Sequence, residues 1–137
     1  MKAIKITTDD VISVVDIQEP TLKGMQEHVG GHIETVRPYG LYELNVPGSE
    51  SLIMICNEDG KNLELGFNVV ASLMYDSDWD EDIVGNVLFM AEGFVDGEPD
   101  IVGLEDDQLQ ALYAELLNNN PILGFRSKIE IEFEEEK

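Results

Sequence analysis

The chain has little of what most site chemistry and most covalent stapling require. A single cysteine, Cys56, in 137 residues excludes an internal disulfide and suits a reducing compartment. Basic residues are scarce: 8 Lys and Arg stand against 29 Asp and Glu, giving a formal net charge of -21, and no Lys or Arg occurs between Lys61 and Arg126. Cations this few and this scattered make no basic patch for gripping DNA or RNA directly, and an anionic membrane repels such a chain. No apolar run approaches transmembrane length, and MKAIKITTDD has neither the apolar stretch nor the small-residue cleavage site of a signal peptide, so a cytoplasmic protein is expected. The glycine patterns G-x-G-x-x-G and G-x-x-x-x-G-K-[ST] are absent too, which argues against a doubly wound nucleotide-binding fold.

What is present is a core: 43% of the residues are hydrophobic, and 137 residues suit one domain, 1–137. Lys2 to Thr7 alternates and Val11 to Ile17 is β-branched, with Thr8-Asp9-Asp10 between them, which predicts an opening hairpin. Leu22, Met25 and Val29 recur at helical spacing after a Thr21 N-cap, and Gly30-Gly31 ends that helix in the left-handed conformation before a strand over 32–38. Gly24 weakens the helix. A Tyr- and Leu-rich stretch from Leu41 to Val46 closes at Pro47-Gly48-Ser49. Leu52 to Cys56, LIMIC, then reads as a strand buried on both faces.

Asn57-Glu58-Asp59-Gly60-Lys61 is a turn with a hairpin signal, the chain resuming at Leu63 to Leu65, and Asn68 is expected to cap a short helix to Tyr75. A strand over 83–90, a turn over 96–100, a clear helix over 105–117 and a last strand over 127–133 complete the pattern. The expected fold is α+β: a mostly antiparallel twisted sheet with two or three helices packed on one face.

Candidate sites are weighed against plainer readings. Asp76, Asp78 and Asp80 match the first three ligand positions of a calcium loop, but Glu81 stands where the turn needs glycine and Val87 where a glutamate should close the shell, so a solvated loop is the simpler reading. His28 and His32 are four apart, yet two glycines break the helix between them and no further Cys or His completes a zinc shell. Cys56 sits in an apolar run with no basic neighbour, and Ser49 and Ser51 lack a nucleophile elbow. No metal, cofactor or catalytic residue is assigned. A metal-dependent nuclease or hydrolase acting through carboxylates stays open, because candidate acids are everywhere, and so does an acidic housekeeping binding module.

The charge itself is the remaining constellation. Asp76, Asp78, Trp79, Asp80, Glu81 and Asp82 form an acidic loop around the one tryptophan; Glu105, Asp106 and Asp107 start a helix; and Glu130, Glu132 and Glu134 project from one face of the last strand about 6.6 Å apart, comparable to the spacing of phosphates on a nucleic-acid strand. Such rows suit a basic channel of a nucleic-acid enzyme.

Val29-Gly30-Gly31-His32-Ile33-Glu34, Asn57-Glu58-Asp59-Gly60-Lys61, Asn68, Gly85-Asn86-Val87-Leu88 and Leu104-Glu105-Asp106-Asp107-Gln108 stand in the order of motifs in a family that this chain resembles. It is an uncharacterised domain family of bacteriophages and plasmids. The resemblance covers 1–117 and leaves 121–137 as an extension carrying the acidic strand. It transfers no catalytic residues. It implies kinship with anti-defence proteins of mobile elements, including anti-CRISPR inhibitors of type II nucleases, and hence an inhibitor in a bacterial host that binds the basic surface of a Cas9-type nuclease.

Overall fold

The structure, a computed structural model, describes residues 1–42, 45–75 and 82–119. Its frame is a six-stranded antiparallel sheet. Strands β1 (Lys2–Ile6) and β2 (Ile12–Asp16) form the opening hairpin, with Lys2 opposite Asp16 and Ile6 opposite Ile12. Helix α1 (Thr21–Val29) leads to β3 (Ile33–Val36), and β4 (Leu52–Asn57) pairs antiparallel with it. Helix α2 (Val69–Tyr75), β5 (Val87–Val95), β6 (Glu98–Val102) and α3 (Asp106–Asn119) follow.

The strand order is β2-β1-β5-β4-β3, with β6 also on β5. Ala91 of β5 has Leu52 of β4 on one side and Val102 of β6 on the other, so β6 continues the row begun by β1. β5 is thus the central strand at its start, and its far half belongs to a β5–β6 hairpin that reaches out past the main sheet.

The expectation of helices on one face is corrected: the sheet is covered on both. Ile53, Ile55, Leu88, Met90 and Ala3 pack against Met25 and Val29 of α1. Leu52, Met54, Cys56, Val87 and Phe89 pack on the opposite side with Val70, Ala71 and Met74 of α2 and Leu109, Leu112 and Leu116 of α3. Alternation along a strand sends neighbouring side chains to opposite faces, so a continuous apolar run such as LIMIC requires a cover on each. Every residue of β4 is buried.

Other boundaries also move. After Gly60 the chain does not resume as a strand: it winds on through Glu64, which adopts a positive φ of 55°, while the Leu65 amide donates to the Gly60 carbonyl. The strand expected from Ile83 begins only at Val87, because Gly85 turns the backbone at φ 80°. The turn expected over 96–100 is confined to Asp96-Gly97, and β6 starts at Glu98. Around Leu41 the chain makes a single 3-10 turn, Tyr39–Leu41. At the end of α1 only Gly30 is left-handed, at φ 84°. Gly31 is small for another reason: a Cβ there would lie 2.9 Å from Asn57 Nδ2, which donates to the Val29 carbonyl. The strand expected over 127–133 lies outside the described residues. No helix among the described residues is long and apolar enough to cross a membrane.

Candidate functional site: an acidic hairpin and helix start

Asp82, Glu105, Asp106 and Asp107 fall within the described residues, and all four are exposed. Asp76, Asp78, Trp79, Asp80 and Glu81, together with Glu130, Glu132 and Glu134, lie outside them. Asp82 lines a small cleft of about 190 Å³ with Glu34, Glu58 and Tyr75. That cleft borders β3 and β4, whereas the start of α3 follows β6, so Asp82 belongs to a different part of the surface.

The α3 start is firmly built. The Glu105 amide donates to Gln108 Oε1 at 2.9 Å and the Leu109 amide donates to the Glu105 carbonyl, the backward half of a capping box. Gln108 Nε2 also donates to the Pro47 carbonyl at 3.0 Å, pinning the first turn of α3 to the loop before β4. Asp106 and Asp107 complement the positive end of the helix, and no ion pair to a Lys or Arg among the described residues engages either.

The acids that sequence reasoning missed are on the neighbouring hairpin. Glu98 and Asp100 of β6 are exposed, and their register opposite Val95 and Gly93 puts them on the face that carries Val102 and α3. Asp96 sits in the turn between β5 and β6 at φ 53°. A groove of about 580 Å³ runs between this hairpin and the α3 start, with Gly93, Phe94, Val102 and Leu104 as its apolar lining and Glu105 and Asp106 at its acidic end. Lys2 and the N-terminus share the groove, but the Met1 ammonium is held by Asp16 Oδ1 at 2.9 Å, and Lys2 sits opposite Asp16 in the β1–β2 register. The N-terminus, first of all, then the Lys2 charge and a hydrogen bond donated by Gln18 Nε2 hold the Asp16 carboxyl below its ordinary value. Phe94, at the hairpin end, is 75% exposed. The signal for this surface was in the sequence: Glu92 to Asp100 is an acid-rich stretch without a base, masked by being taken for a turn.

The groups considered for chemistry have plain structural roles. Burial, reinforced by Glu34, pushes the Cys56 thiol up to about 12, far from a reactive thiolate. Ser51 Oγ donates to the Gly48 carbonyl at 2.8 Å and Ser49 Oγ to the Tyr42 carbonyl at 3.3 Å, so both hydroxyls serve the turn. His28 is half-buried in a cleft beside Lys5, where burial, then the Lys5 charge, lowers its pKa, while His32 is exposed with its ring 3.7 Å from Asp59. Among the described residues no three His, Cys, Asp or Glu side chains gather in a way that could hold a metal ion.

Comparison with curated proteins gave no match, and comparison with solved structures gave none. A family profile does match, over residues 1–118, from the opening hairpin through all but the last residue of α3, and it places the chain in the family described as a domain of unknown function, DUF3846.

Proposed function

We propose that this protein inhibits a nucleic-acid enzyme of a bacterial host by occupying its basic surface, and that the enzyme is a Cas9-type nuclease held in check by a phage or mobile-element product. The observation that carries the reading is the predominantly acidic surface made by β6 and the α3 start. Glu98, Asp100, Glu105, Asp106 and Asp107 are exposed there, in a chain whose net charge is -21. Unneutralised carboxylates at fixed spacing on rigid elements favour a cationic partner and speed encounter with it, and the affinity they give is sensitive to salt. A Cas9-type effector offers the complementary surface, because it holds guide and target in positively charged channels. The acids at 76–81 and at 130, 132 and 134 extend the same argument in sequence. The resemblance to phage and plasmid anti-defence proteins supports the choice of enzyme.

The test is capture of a Cas9-type nuclease, with and without guide RNA, by immobilised protein over 0.05 to 0.5 M NaCl. Binding that weakens steeply with salt and competes with nucleic acid is expected. No binding, or binding indifferent to salt, overturns the reading.

A further inference from the structure

We infer that the cleft between the last turn of α1 and the bend before β5 is a site for a phosphate group, free or carried on a phosphomonoester, with Lys5 as its counter-charge. The site is separate from the acidic surface and does not rest on the proposed inhibition. The cleft is about 360 Å³, and Lys5, Thr8, Glu27, His28 and Asn86 supply its polar lining. Alternation along β1 puts Lys5 on the face that Ala3 shares with α1, opposite to Ile4 and Ile6. Burial there holds the Lys5 ammonium below its ordinary pKa, so it has given up part of its water. Yet among the described residues no carboxylate lies within ion-pair distance of it and no side-chain hydrogen bond engages it, in a chain with 29 Asp and Glu. A partly dehydrated charge without a counterion is costly, and a bound anion relieves that cost.

The groups nearby that could neutralise Lys5 are placed otherwise. At the end of α1 the Gln26 carbonyl accepts the Gly30 and Gly31 amides, and the Val29 carbonyl accepts from Asn57 Nδ2. Glu27 is exposed, makes no ion pair with Lys5 or His28, and has Lys23 one helical turn behind it, both lining a second cleft on α1. The uncharged groups favour an oxyanion. Asn86 Oδ1 accepts from the Thr8 amide at 3.1 Å, which leaves Nδ2, a donor, for a ligand. The Thr8 hydroxyl and the His28 imidazole add two more donors, so the set comes from β1, the turn after it, α1 and the bend before β5. Donors from four segments suit a tetrahedral oxyanion better than a planar carboxylate, and lysine serves phosphate as a point charge.

Titration of the ¹⁵N-labelled full chain with sodium phosphate, at pH 7 and constant ionic strength, tests the site by NMR. The amide signals of Thr8, His28 and Asn86 are expected to shift along one saturable curve. Lys5→Gln should weaken binding about tenfold, and the melting temperature should hold, because the variant removes a charge that the fold leaves unpaired. His28→Gln should weaken it about threefold. The control Lys2→Gln removes the same charge from the opposite face of β1 and should leave affinity within about twofold. Repeating the titration with adenosine 5′-monophosphate separates the two sources. Binding about fivefold tighter or more assigns the site to the phosphate of a nucleotide, and equal binding assigns it to free phosphate. No saturable shift with either probe, or a loss in Lys5→Gln no larger than in Lys2→Gln, overturns the site. A Lys5→Gln chain that fails to fold makes Lys5 a structural residue and overturns it too. Each of these failures leaves the nuclease reading standing.

Discussion

Asn68 shows how much one side chain can hold. It is fully buried, and each of its polar atoms is used: Nδ2 donates to the Ile6 carbonyl at 3.0 Å and to the Gly85 carbonyl at 2.9 Å, while Oδ1 accepts from the Ala71 amide at 3.0 Å. One residue therefore ties the end of β1, the bend before β5 and the first turn of α2. Asn68→Ala removes three buried hydrogen bonds, at about 1 kcal/mol each, so a loss of about 3 kcal/mol is expected in urea unfolding. A loss below about 1 kcal/mol would mean that water replaces the side chain. Cys56 gives a second residue-scale prediction. Its thiol stays neutral in the folded state up to about 12 but ionises near 9 once exposed by unfolding, so the unfolded chain holds fewer protons above pH 9 and stability falls with rising pH. The stability advantage of the parent over Cys56→Ala should therefore shrink between pH 8 and pH 10, and the folded thiol should resist a disulfide-exchange reagent at pH 8. An advantage that stays constant with pH removes the buried-thiol account.

At the scale of elements, Gly24 decides between two opposing effects. Helix propensity alone says that Gly24→Ala in the middle of α1 should stabilise the chain by about 1 kcal/mol. The added Cβ, however, would lie 2.9 Å from Ile17 Cγ2 and 3.0 Å from the Gln18 carbonyl oxygen. The second of these is backbone and has nowhere to go, so α1 must lift off the sheet face that Met25 and Val29 cover. The expected outcome is a net loss of about 1 to 2 kcal/mol in thermal or urea unfolding, and a gain would show that the segment from Ile17 to Gln18 yields easily. The same residue marks a limit of sequence reading, since Gly24 counts against a helix by propensity and its close contact becomes visible only when β2 and α1 are placed together. Elements whose own residues carry the pattern were legible. LIMIC announced a strand covered twice, Asn68 announced a cap, and Leu109, Leu112 and Leu116 announced the inner face of α3. β6 was hidden because Glu98-Pro99-Asp100 has the composition of a turn. Proline is tolerated there since β6 hydrogen-bonds to β5 as a lateral strand, and the register, not the residue types, makes it a strand. The split of the helices between two faces was hidden for a related reason: periodicity says which side of a helix is buried, not which side of the sheet receives it. The acidic groove needed both missing pieces, β6 and the place of α3 beside it.

For the molecule as a whole, the surplus of 29 acids over 8 bases acts on stability and on association with opposite signs. Within the folded chain the carboxylates repel one another, and the unfolded chain relieves that repulsion by spreading them apart. The described ion pairs do little against it, because Met1–Asp16 and Arg37–Glu92 lie in solvent-exposed positions where water screens the attraction. Salt shortens the reach of the repulsion, from a Debye length of about 30 Å at 0.01 M to about 3 Å at 1 M. Raising NaCl from 0.02 to 0.5 M should therefore raise the melting temperature by several degrees, most of it at the low end of the range. The same screening should weaken capture of a basic partner over the same range. A single titration read by calorimetry and by binding then separates two origins for the acidity. If stability rises while affinity falls, the carboxylates are uncompensated in the free protein and are compensated by the partner. If the melting temperature is flat across the series, the charge is already balanced within the fold, and the acidic surface has no surplus to offer a basic one.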